Sequence, residues 1–198
     1  MKKGNLLILI GIFLILAAMG LASYNLMDEN NANEQSSEVL TQLAPEIVDV
    51  AEEETPDYQV FPDMEMPVKE IDGNDYIGVL KFSTFDMEMP VMSDWSYPKL
   101  KISPCRYSGS AYKNDMVICA HNYDCHFGVL KSMISGEVIT FTDMDGNEFL
   151  YEVAEIEVLD PFATEEMTSG DWDLTLFTCT YGGQERVTVR CTLKEPSL

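Results

Sequence analysis

Two short stretches carry residue types suited to nucleophilic chemistry. The first is TLFTCTYGGQERVTVRC, Thr175 to Cys191. It sets Cys179 at the end of one strand-like run, a Gly-Gly break after it, and Arg186 and Arg190 on the next run. The second is MVICAHNYDCHF, residues 116–127, in which His121 closes an apolar run and His126 follows in a loop. The thiolate is the reactive form of a cysteine, and a fixed positive charge nearby favours it. An arginine also holds a developing oxyanion. A histidine within reach moves protons near neutral pH.

A two-residue turn at Gly183-Gln184 pairs Tyr181 with Arg186 and Cys179 with Thr188. Side chains on one face of a strand recur every second residue. Arg186 and Arg190 then both share the face of Cys179, diagonal to it on either side. Diagonal neighbours stand about 7–8 Å apart, within reach of an arginine. The plain alternative is a surface hairpin whose arginines pair with local acids, and parity alone does not separate the two. His121 taken alone reads equally as a packed strand-end residue or a simple hydrogen-bond partner. Thr175 and Thr178 flank the cysteine; Thr178 alternates away from it and fits β-branched packing or a local hydrogen bond.

The elements that must hold these residues begin at Tyr76. Strand-like runs are Tyr76–Met92 with a turn near Asp86, then Met116–His121, Glu137–Thr142, Glu148–Val158, Leu174–Tyr181 and Arg186–Leu193. Turn-forming residues separate them, and Phe127–Ile134 suits a short helix. Many short strands with little helix imply a closed or sandwiched all-β domain. DMDGNE, residues 143–148, starts like a calcium loop but lacks the closing glutamate, so a hairpin turn on Asp-Gly is expected and no metal is required. The five cysteines form no CxxC pair, which argues against a zinc knuckle. Most read as small buried apolar residues, with a disulfide open to them outside the cell.

The chain of 198 residues carries a formal charge of −22, which argues against a nucleic-acid partner. Lys2 and Lys3 precede an uncharged run from Leu6 to Leu26. About 1.5 Å of rise per residue lets such a run cross a bilayer core. Residues 1–27 are therefore expected to be an uncleaved membrane anchor with its N-terminus inside and the rest outside. A cleaved signal peptide is the rival reading. Residues 28–75 hold 15 of the 34 acidic residues, four prolines and no sustained periodicity. They read as a stalk, with a short helix around Ser37–Leu43, leaving 76–198 as the folded domain.

TLFTC at 175–179 resembles the TLxTC signature of sortases, the membrane-anchored cysteine transpeptidases of Gram-positive bacteria. The order also matches: a histidine at a strand end, the cysteine strand, then an arginine on the next strand. AHNYDCHFGVLKSMISGEVITF, residues 120–141, is similar to the segment that follows the catalytic histidine in that family, closer to class D or B members than to class A. Two departures stand out. Ala120 replaces the usual glycine, and the loop from Cys179 to Arg186 is short.

The resemblance implies a closed sortase-like β-barrel of about eight strands with short helices. It implies Cys179 as nucleophile, His121 as general acid and base, and Arg186 for the oxyanion, with Arg190 as the fallback because the loop is short. It implies no cofactor. Its partners are then proteins bearing an LPxTG-like sorting signal and an acceptor amine on a cell-wall precursor or a pilin lysine. The segment Ala154–Trp172, with Phe162, Met167 and Trp172, is expected by analogy to read the motif. A hydrolytic cysteine peptidase would use the same pair of residues. A non-catalytic extracellular β-domain that binds cell-wall ligands would use neither.

Overall fold

The computed structural model describes residues 3–47 and 55–194; residues 1–2 of the expected anchor, residues 48–54 of the expected stalk 28–75, and residues 195–198 lie outside the described residues. Nine strands form one sheet that closes on itself: β1 (Lys69–Ile71), β2 (Asn74–Phe82), β3 (Met87–Met92), β4 (Cys105–Ser108), β5 (Met116–Cys119), β6 (Val138–Asp143), β7 (Glu148–Leu159), β8 (Leu174–Cys179) and β9 (Arg186–Leu193). The strand order is β1-β2-β3-β4-β5-β8-β9-β7-β6, and β6 pairs back onto β2. Eight strands thus make a closed barrel, with β1 added as a short hairpin partner of β2. Closure removes open sheet edges.

Alternation fills the barrel. Leu80, Phe82, Met89, Ile118, Phe141, Tyr151, Leu176 and Val189 point inward and are fully buried. Gly78 sits at the bulge where β2 shifts register against β3. A Cβ there would overlap the Thr142 carbonyl of β6, and its positive φ also favours glycine. That residue lets β2 serve two neighbours at once. DMDGNE closes the β6–β7 hairpin as expected. The Asp143 carboxylate accepts the backbone N–H groups of Asp145 and Asn147, both at 2.9 Å, and the Tyr112 hydroxyl at 2.7 Å.

Four elements differ from expectation. β1 and β4 had no strand signal of their own; both are too short for alternation to register. Strand β7 runs to Leu159, so the first six residues of the segment Ala154–Trp172 are sheet rather than loop. The largest difference is at the N-terminus. Helix α1 runs unbroken from Lys3 to Leu43 rather than giving way to a stalk at residue 28. Its apolar first part is exposed. Its second part lies on the barrel and buries Ala32, Ser36, Val39 and Leu43, a stripe at 3–4-residue spacing. Leu43 and Val39 pack with Ile71, Tyr76 and Met92. The remaining α-helices among the described residues are one-turn pieces, α2 (Asp57–Val60), α3 (Tyr97–Leu100) and α4 (Thr164–Thr168), and the helix expected over Phe127–Ile134 is a 3-10 helix over Phe127–Ser132. Ser96 caps α3, its hydroxyl accepting the Lys99 N–H.

Candidate active site

β5 and β8 run parallel with a constant offset, Met116 beside Leu174 through Cys119 beside Phe177. The pairing continues past the strand end, because the Ala120 N–H donates to the Phe177 carbonyl at 3.3 Å. The same offset sets His121 level with Cys179. On the other side of β8, Cys179 is the direct antiparallel partner of Arg186. Cys179 and Arg186 are thus direct partners on β8 and β9, and His121 follows two residues after the end of β5 on the side of Cys179. All three line a cleft of about 230 Å³.

This register corrects the turn reading. Gly183-Gln184 is not a two-residue turn. The Thr180 N–H donates to the Glu185 carbonyl at 2.9 Å, so residues 181–184 form the loop, with Gly182 and Gly183 both at positive φ. Arg186 moves from a diagonal position to one directly opposite Cys179, and Arg190 moves to a place opposite Thr175. Arg190 is not in the cleft. It is buried, its Nε pairs with Glu157 at 2.7 Å, and its other donors reach the carbonyls of Glu166 and Met167 and the Thr175 hydroxyl. Those contacts fasten α4 to the barrel wall. With its guanidinium occupied on every arm, Arg190 does not take the fallback role expected for it.

The site is braced from behind. The Thr178 hydroxyl is buried and donates to the Ala120 carbonyl at 2.8 Å, tying the residue before the nucleophile candidate to the residue before His121. The loop after His121 is folded tightly on itself. The Phe127 N–H donates to the His121 carbonyl, and the Gly128 N–H to the Tyr123 carbonyl. Gly128 approaches so closely that a Cβ would stand 2.7 Å from the Tyr123 oxygen. The Tyr123 ring lies 5.0 Å from the His121 ring.

Burial depresses the His121 pKa; Lys101 lowers it further and Asp28 opposes both. The neutral imidazole is therefore favoured in the free protein. The other four thiols are disfavoured as nucleophiles. Burial pushes Cys105 and Cys191 up to about 12 and Cys125 to about 11, and raises Cys119 further. His126 is fully buried, and burial pushes it down to about 4. Its ring packs beside Tyr123 rather than reaching the cleft.

The cleft walls come from two sides. Asp160, Pro161, Ala163, Thr164 and Met167 form one, from the connection that Arg190 holds. Trp95, Tyr97, Tyr107 and Phe177 form the other, a chain of ring contacts 5.4–5.8 Å apart. Of the three residues expected to read a motif, only Met167 reaches the cleft; Phe162 is 88% exposed and Trp172 stands against Gly170. The aromatic wall escaped sequence reasoning because its members come from three separate segments.

A sortase-domain profile matches residues 80–194, more than half of the chain. The chain belongs to the sortase family. Comparison with curated protein sequences finds no match. Among solved structures, the barrel is similar to a sortase D5 transpeptidase of Clostridium perfringens, at 19% identity and TM-score 0.62, covering 82% of this chain and 99% of that one. Sortase A of Corynebacterium diphtheriae gives 20% identity and TM-score 0.56, covering 85% of each chain. Sortase C of Clostridium perfringens SM101 gives 21% and 0.54, covering 90% and 99%. These likenesses establish the closed eight-strand sortase fold, and family membership makes the protein a sortase transpeptidase. The expected barrel of about eight strands is thus correct. One N-terminal helix of this sortase is long and apolar enough to cross a membrane.

Proposed function

We propose that this sortase cuts an LPxTG-like sorting motif through a thioester on Cys179 and passes the acyl group to an amine. The observation that supports this reading is Cys179 directly opposite Arg186, with His121 just past the end of the neighbouring strand and all three lining one cleft. His121, neutral in the resting protein, first takes the Cys179 thiol proton, and the resulting thiolate attacks the threonine carbonyl carbon while the electron pair moves to the carbonyl oxygen. Arg186, directly opposite, holds that oxyanion. The C–N bond then breaks as protonated His121 gives its proton to the leaving glycine nitrogen. This leaves a thioester. An incoming amine, from a cell-wall precursor or a pilin lysine, loses its proton to His121 and attacks the thioester, which releases Cys179 as the thiolate. The apolar part of α1 anchors the protein, with its N-terminus in the cytoplasm and the barrel outside.

The test uses an LPxTG-like peptide and an amine acceptor. Mass spectrometry is expected to find the acyl group on Cys179 and the peptide joined to the amine. Cys179→Ala and His121→Ala are both expected to abolish release of the glycine-bearing fragment, whereas Cys105→Ala leaves it. Full activity in Cys179→Ala would refute the assignment. Release without amine transfer would point to a hydrolytic peptidase instead.

A further inference from the structure

The catalytic reading leaves the second half of α1 unexplained. Just after the apolar run ends, Asp28 and Glu29 reach the loop that follows His121. The Tyr123 hydroxyl donates to Asp28 Oδ2 at 2.7 Å, and Lys101 Nζ lies 3.1 Å from both carboxylate oxygens. The Asp124 N–H donates to Glu29 Oε1 at 2.6 Å, and the Cys125 thiol points at the Glu29 carbonyl at 3.7 Å. Three consecutive residues of the loop, Tyr123 to Cys125, are thus held from the helix. The stripe Ala32, Ser36, Val39 and Leu43 seats the rest of the helix behind these contacts. A cavity of about 510 Å³ has Asn25, Asp28 and Glu29 on one wall and Thr178 and Cys179 on another.

Tyr123 is the link. Its ring stands against His121, and its hydroxyl is fixed by a carboxylate ninety-five residues earlier in the chain. The loop's own hydrogen bonds set its backbone, but within the loop nothing binds the Tyr123 hydroxyl among the described residues. Losing Asp28 frees that ring, and with it the face on which the imidazole rests.

We propose that Asp28 is a positioning residue for His121, acting through Tyr123, so that α1 is part of the catalytic apparatus rather than only an anchor. The inference rests on the catalytic role proposed above for His121. Asp28 does not touch substrate in this scheme. It sets where the proton donor stands, and small displacements of such a group lower the rate of the chemical step more than binding.

The experiment uses the full chain in lipid nanodiscs with a fluorogenic LPxTG-like peptide. Asp28→Asn is expected to lower kcat about tenfold with KM within about twofold, a moderate case of misplacement. Tyr123→Phe gives a similar loss. The double variant is no worse than either single, because both break one contact. Asp28→Glu, which keeps the carboxylate, recovers most of the rate. Wild-type kcat in Asp28→Asn, or losses that multiply in the double variant, would overturn the proposal while Cys179→Ala remained inactive. If Cys179→Ala stayed active, the catalytic reading itself would fall. An Asp28→Asn protein that lost the folded barrel would also overturn it, since a part-exposed ion pair contributes only about 1 kcal/mol or less.

Discussion

Replacing Arg186 and Arg190 separately is expected to split stability from chemistry. Arg190 is 3% exposed, and its ion-pair partner Glu157 is 31% exposed. Removing one partner of a buried pair costs about 3–5 kcal/mol. The part-exposed Glu157 keeps access to water, which places Arg190→Met near the lower limit, about 3 kcal/mol. The carbonyls of Glu166 and Met167 and the Thr175 hydroxyl lose their donors in the same step. At roughly 2–4 °C per kcal/mol for a chain of this size, Tm falls by about 6–12 °C. Arg186 donates only to the Gly183 and Glu185 carbonyls of its own exposed turn. Its loss changes stability by less than about 0.5 kcal/mol. Activity follows the opposite order. Arg186→Ala is expected to lose about 10²–10³ in kcat, the usual effect of deleting an oxyanion donor. Folded Arg190→Met keeps kcat but raises KM, because α4 loses its fastening to the barrel. Calorimetry and steady-state kinetics on the two variants suffice. An Arg190→Met protein as stable as wild type, or a fully active Arg186→Ala, would refute this division of roles.

Two further outcomes follow from the loop after His121. His126 is neutral in the folded state because burial pushes it down to about 4. Its contribution is complete above its unfolded value of about 6.5 and is lost as pH falls toward 4, about 3 kcal/mol in all. Urea unfolding at pH 7 and pH 4.5 is expected to show a smaller acid loss in His126→Leu than in wild type, and equal losses would refute it. Gly128→Ala puts a methyl group against the Tyr123 and Asn122 carbonyls, so the loop must shift. Kinetics are expected to show about tenfold lower kcat with little change in KM, and an unchanged kcat would mean the loop absorbs the methyl without moving His121.

Much of the barrel was legible because its strands alternate or carry dense β-branched runs. Arg186–Leu193 matches β9 to the residue, Glu148–Val158 stops one residue short of β7, and Glu137–Thr142 is β6 shifted by one residue at both ends. Parity on the hairpin was also sound: Cys179, Arg186 and Arg190 do share a face. The register was not legible. Two adjacent glycines permit several turn lengths, and only the Thr180–Glu185 closure selects one. The offset that brings His121 level with Cys179 is a long-range parallel pairing with no local trace. The docked half of α1 was hidden for a related reason. Its stripe has only four buried positions amid acidic residues, and the surface that makes it helical lies on distant strands.

Helix α1 also sets a length. The contact at Asp28 begins two residues beyond the end of the apolar run at Leu26. A helix has no slack, and each residue adds about 1.5 Å along its axis. A flexible link over residues 28–75 would instead let the barrel wander over roughly 40 Å, from about 5–6 Å times the square root of its length. The rod turns that sweep into a single altitude. Under the proposed anchoring and the proposed role of Cys179, substrate segments arrive at the altitude of Cys179, and the reach of each scissile bond from the plane that holds the apolar run becomes a selection rule. Shortening or lengthening the spacer in a sorting substrate then changes its turnover without changing a single residue of the motif.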